Sequence, residues 1–149
     1  MTTRMDRTAI GTVALVALFL LPLQSNGESA TFQLSISGDQ EVPGPGDEDG
    51  QASGTLYMND ATGLITWNFT YSNIASPAAM HIHSGVAGAG GGVVVPLNVR
   101  TKGDAGTLIG STSSDVDAVR AILASPADYY VNIHNADFSS GAIRGQLGN

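Results

Sequence analysis

The sequence predicts an all-β domain: an antiparallel Greek-key sandwich or barrel of about 7–8 strands with one short helix. Two observations carry this expectation. Short stretches of alternating apolar and polar residues recur from residue 30 to residue 147, each bounded by Gly, Pro, Asp or Asn. Only one stretch, 115–125, spaces its aliphatics as a helix does. Alternation of period two sends successive side chains to opposite faces, so each stretch buries one face against a core.

Taken in order, residues 30–37 set Phe32, Leu34 and Ile36 against Gln33, Ser35 and Ser37. Residues 38–51, with their prolines, glycines and acidic run, read as a loop. Alternation resumes over 52–59 through Leu56 and Met58, and Asp60-Ala61-Thr62-Gly63 makes a tight turn. Leu64–Ser72 follows with Ile65, Trp67, Phe69 and Tyr71 on one face, completing the clearest hairpin of the chain. After a loop at 73–77 come Ala79–Ser84, a glycine-rich stretch at 85–92, and Val93–Leu97. Ser114 is placed as the N-cap of helix 115–125, Asp117 as the acid of its capping box, and Pro126 as its stop. Strands at 129–135 and 142–147, joined by 136–141, close the domain, and no internal repeat is seen.

The first residues have a different character. Arg4 and Arg7 precede a 13-residue apolar-rich run, 9–21, followed by Pro22 and small or polar residues. That run is too short to span a bilayer, and the pattern describes a secretory signal peptide over 1–27, with one domain over 28–149. The mature chain is therefore expected outside the cytoplasm, periplasmic or extracellular, with no membrane span after cleavage. Without Arg4, Arg7 and Asp6 it keeps four basic and twelve acidic residues, a net charge of −8 with histidine neutral. Such a surface repels nucleic acid and anionic membranes. Cysteine is absent, which removes disulfides, thiolate metal sites and cysteine nucleophiles.

The chemistry is concentrated in three histidines, His81, His83 and His134, which are all the imidazole in the chain. The first two stand at i and i+2 in a strand, so both rings leave one face while Ile82 turns to the core. Val131 and Ile133 alternate with Tyr130, Asn132 and His134 in the same way. If the two strands are neighbours, three nitrogens converge on one metal ion, with separations of roughly 3–5 Å. Imidazole-only ligation suits copper or zinc, and the lack of an evident carboxylate or thiolate partner favours one copper ion over zinc. Asp137 is a turn aspartate within reach of a fourth-ligand or hydrogen-bonding role. Arg144, the only arginine in the last twenty-odd residues of an acidic chain, is the candidate catalytic residue: its fork of donors suits the docking of a small anion.

Other motifs carry less. The 85–92 glycines lack the lysine and following helix of a phosphate loop, and the Asp47-Glu48-Asp49-Gly50 run lacks an EF-hand's alternating ligands. No serine-histidine-acid arrangement is present in sequence.

Two resemblances follow from these residues. Leu34 to Pro43 (LSISGDQEVP), His81 to Gly85 (HIHSG), Tyr130 to His134 (YVNIH) and Gly141 to Leu147 (GAIRGQL) resemble, in order, the CHRD domain. That module was first described in chordin, a secreted antagonist of growth factors, and is common in exported bacterial proteins. The order His81, His83, His134, Arg144, with Gly141 and Gly145 flanking the arginine, also resembles the copper site of copper-zinc superoxide dismutase. No cysteine pair or further histidine matches that family's disulfide or zinc site, so the likeness implies a copper-only variant. Together they imply an exported copper-binding CHRD domain, redox-active, with superoxide disproportionation as the favoured reaction. The alternatives are a non-enzymatic envelope copper carrier, or a chordin-like protein-interaction module without metal.

Overall fold

The period-two stretches become strands in the computed structural model, which describes residues 27–99 and 106–148. These are β1 (Ser29–Ser37), β2 (Gln51–Asn59), β3 (Leu64–Ser72), β4 (Ala79–Ser84), β5 (Val93–Leu97), β6 (Gly106–Ser113), β7 (Tyr129–His134) and β8 (Ile143–Gln146), with helix α1 (Val116–Ala124) between β6 and β7. The expected signal peptide lies, up to residue 26, outside the described residues. No helix among the described residues is long and apolar enough to cross a membrane.

All eight strands join one antiparallel sheet in the order β5-β4-β7-β8-β1-β2-β3-β6. Its outer strands β5 and β6 approach one another, so the sheet curls into a nearly closed barrel. Followed round that barrel, the β3–β4 connection passes over β6 and β5, and the β6–β7 connection passes over β5 and β4. Both are Greek-key crossings.

The hairpin β2–β3 pairs Leu56 with Trp67 and Met58 with Ile65. Ile65, Trp67, Phe69 and Tyr71 are all buried, as the alternation requires. Met80 and Ile82 of β4 and Val131 and Ile133 of β7 are fully enclosed in the same core. Their strands are thereby anchored from inside, leaving the opposite face for polar side chains. Ile82→Ala is therefore expected to cost about 2–5 kcal/mol by opening a cavity. Urea unfolding checks this.

β6 is a strand that alternation does not announce. Only Leu108 and Ile109 are aliphatic there, and Ile109 points out, 58 % exposed. Core volume at this place comes from Trp67 on the neighbouring strand instead. Gly110 faces it, and a Cβ at 110 would lie 2.4 Å from Trp67 Cζ2.

The helix start is corrected by one residue. Asp115 is the N-cap, its carboxylate accepting from the N–H groups of Asp117 and Ala118 at 2.9 and 3.3 Å. Ser114 instead donates its own N–H to Gly63 O at 2.9 Å, completing the β3–β6 end. Asp117 turns to Arg120 rather than back to the cap, and Arg120 also reaches Asp60. Val119, Ile122 and Leu123 carry the helix onto the core.

Candidate metal centre

β4 and β7 lie side by side. On their core face Met80 opposes Ile133 and Ile82 opposes Val131; on the other, Ala79 opposes His134, His81 opposes Asn132 and His83 opposes Tyr130. All three histidines thus share one face, with His134 diagonal to His81, a spacing that ring side chains bridge. A bulge against β5, where Ile82 faces Val95 but His83 faces Val93, re-aims the strand at His83.

Each ring offers one nitrogen, and the three nitrogens lie within 4.8 Å of one another. His81 Nδ1 and His134 Nε2 are 3.1 Å apart. Two imidazole nitrogens on a tetrahedral ion at 2.0–2.1 Å would be separated by about 3.3 Å. Two of the rings are also held by backbone carbonyls. His83 Nδ1 lies 3.1 Å from Gly91 O and His134 Nδ1 lies 3.1 Å from Ser139 O. A carbonyl accepts only, so both rings carry their proton on Nδ1 and leave Nε2 as a lone pair when neutral. His83 Nε2 is buried with no hydrogen-bond partner. A buried imidazole lone pair without a donor is what an ion would satisfy.

Electrostatics agree. Burial pushes His81 below the ordinary imidazole range, and the neighbouring His134 and His83 add to the shift. Burial also lowers His134, with His83 adding, against the opposing bond to Ser139. Metal ligation needs neutral imidazole, and this crowding favours it. Asp137 is not among the clustered ligands; it is exposed, and its N–H closes a turn on Asn135 Oδ1 at 3.0 Å.

Apart from half-buried His134, the polar phase of β7 and β8 does not meet solvent. Tyr130, Asn132, Arg144 and Gln146 are all buried there. The loop over 38–50 crosses this face, with Asp47 N–H on Ala142 O at 2.8 Å and Asn132 Nδ2 donating to Glu41 Oε1 at 2.5 Å. The 85–92 loop covers the rest. Arg144 is 1 % exposed, with Nη1 donating to Ala89 O and Nη2 to Val86 O, each at 2.9 Å, and Nη2 also to Gln146 Oε1 at 3.0 Å. Its guanidinium carbon sits 3.5 Å from the centre of the Tyr130 ring. Arg144 thus shares the histidines' face but lies across β7 from β4, opposite Asn132. Gly141, at φ +147, gives this network room, because a Cβ there would fall 2.5 Å from Glu41 Oε2.

Glu41 is the partner that sequence reading passes over. It sits in a loop of acidic residues, and only its burial separates it from the solvated ones. Desolvation pushes its carboxyl up to about 7, against the lowering effects of Arg144, the Asn132 bond and the Val42 backbone. A folded-state value above the ordinary 4.5 favours the protonated form in the fold. Its contribution is therefore complete below the unfolded value and is lost as pH rises through about 7. Glu41→Gln keeps an acceptor for Asn132 and removes the titration. The stability of wild type relative to Glu41→Gln, read from urea midpoints, should fall between about pH 4.5 and 7; parallel curves would refute the assignment. The lowered histidines act in the opposite sense, withdrawing stability as pH falls below the ordinary imidazole value.

Neither the curated proteins nor the solved structures contain a match. The family model described as the CHRD domain matches residues 32–147, which include every strand from β2 to β8, most of β1, and all three histidines. The chain belongs to the CHRD domain family.

Proposed function

We propose that this domain is exported, holds one copper ion on His81, His83 and His134, and disproportionates superoxide there. The observation that supports it is the convergence of all three histidines of the chain on one face of two adjacent strands, with His83 Nε2 buried and unpartnered. Copper rather than zinc follows from the donor set. The cluster contains no carboxylate, the chain contains no thiolate, and copper(II) heads the affinity series for imidazole nitrogen. Three ligands leave a coordination position open for a small anion. Bound copper would supply a one-electron couple, by which two superoxide ions and two protons become dioxygen and hydrogen peroxide.

The chain's own residues have separable tasks in this reading. Gly91 and Ser139 carbonyls hold the rings; Met80, Ile82, Val131 and Ile133 fix the strands beneath them. Arg144 offsets the net negative charge near the site and draws the anion in through its field, since its hydrogen bonds to Val86, Ala89 and Gln146 keep it in the fold. Those same bonds favour a second reading, a copper carrier without turnover, because they leave no fully exposed guanidinium to dock a substrate.

The test begins with metal analysis of protein exported in its native compartment. One equivalent of copper, lost on replacing any of the three histidines, supports the site; a metal-free or zinc-loaded product refutes it. Superoxide decay is then measured against the same residual copper held by a chelator. Activity no greater than that control sinks the enzyme and leaves the carrier.

A further inference from the structure

Tyr130 stands at the cluster without being a ligand. β7 lies between β4 and β8, so the Tyr130 ring has His83 on its β4 side and Arg144 on its β8 side. The Tyr130 and His83 rings are stacked, centroids 5.0 Å apart and planes 11° from parallel. The Arg144 guanidinium carbon is 3.5 Å from the Tyr130 centroid. This column of cation, phenol and imidazole is tied together at its edge by one residue. Gly91 donates its N–H to Tyr130 Oη at 3.3 Å, and its carbonyl lies 3.1 Å from His83 Nδ1. Glycine is required there, since a Cβ at 91 would fall 1.8 Å from Ser84 O.

An imidazole on an exposed strand rotates about χ2, and its two nitrogens exchange places. Here the flat phenol face restrains the plane of the ring, and the Gly91 carbonyl selects which nitrogen turns to it and keeps the proton. What remains is a buried, unpartnered Nε2 on a ring that belongs to the three-histidine cluster. Arg144 presses on the far face of the phenol through cation–π attraction, and its bonds to the 85–92 loop fix it in turn.

We infer that Tyr130 is the positioning residue of this metal centre, clamped by Arg144 and presenting His83 Nε2 to the ion; the inference rests on the copper reading above. A residue of this kind acts on the metal only through His83, so its removal should resemble the loss of an outer-shell partner.

The test compares wild type, Tyr130→Phe and Tyr130→Leu in the mature domain, using copper(II) alone as probe. Phenylalanine preserves the stack and should give the wild-type copper(II) electron paramagnetic resonance spectrum with at most a few-fold loss of affinity. Leucine removes the stack and should lower affinity about 10–100-fold with altered copper hyperfine splitting. Nitrogen-15 resonances of the metal-free wild type supply a readout independent of either variant's folding: His83 should show a single Nδ1-protonated tautomer. A mixed tautomer in wild type, or a folded leucine variant with unchanged affinity and spectrum, overturns the inference. Failure of wild type to bind copper, with His83 in one tautomer, refutes the metal reading itself.

Discussion

His83→Ala is expected to abolish tight copper binding while leaving the barrel folded. The imidazole lies outside the core, on the face opposite the buried Ile82. Its removal forfeits one hydrogen bond to Gly91 and the stack on Tyr130, a loss of about 1–2 kcal/mol. For the ion the change is of another order. One of three ligands disappears, where even an outer-shell partner is worth about 10–100-fold in affinity, so the loss should exceed about 100-fold. Competition against a chelator of known strength measures the affinity, and urea unfolding confirms the fold. Equal affinity in wild type and His83→Ala would remove this residue from the ligand set. His81→Ala and His134→Ala should behave alike, since each ring contributes one nitrogen to the same cluster.

That site was legible because strand periodicity carries direction as well as identity. Ile82 between His81 and His83, and Ile133 between Asn132 and His134, fix which way each imidazole points once the apolar face is buried. Only the pairing of β4 with β7 lay beyond the pattern. Period two assigns faces within a strand but is silent on which strand is next, and β4 and β7 are separated by two further strands and a helix in the chain.

The same periodicity misleads in two ways. It equates the polar phase with solvent, yet Tyr130, Asn132, Arg144 and Gln146 occupy that phase and are buried beneath the 38–50 and 85–92 loops. Two long, glycine-rich loops beside a short final strand were the available sign that this face is covered. It also fails where packing is supplied from across the sheet. β6 needs no large side chain at 110 because Trp67 fills the space, so Gly-Thr-Leu-Ile-Gly-Ser-Thr-Ser lacks the aliphatic beat of a strand. The helix cap moved from Ser114 to Asp115 for a related reason: the Ser114 N–H is already committed to Gly63, and the neighbouring carboxylate is the better acceptor for two orphan donors.

Burial changes what Arg144→Ala tests. The variant is expected to lose about 3–5 kcal/mol of stability, because several buried acceptors are left without a donor at about 1–3 kcal/mol each. Without the guanidinium, the carbonyls of Val86 and Ala89 and Oε1 of Gln146 lose their donors together, and the Tyr130 face loses its cation. Glu41 loses the cation that lowers its carboxyl, so its value should rise beyond about 7. Arg144→Lys restores the charge, but one ammonium does not reproduce a planar fork that reaches two carbonyls and an amide at once. It should recover less than half of the lost stability, while keeping a positive charge near the histidines. Folded, copper-loaded Arg144→Lys then separates the two tasks. If Arg144 acts on superoxide only through its field, turnover per bound copper and its dependence on ionic strength should match wild type. If Arg144 leaves its carbonyls to grip the anion, turnover should fall with the fork while copper stoichiometry holds. A stability loss below about 1 kcal/mol for Arg144→Ala would put the guanidinium in solvent, free for that grip, and would overturn its assignment as the buried anchor of the 85–92 loop.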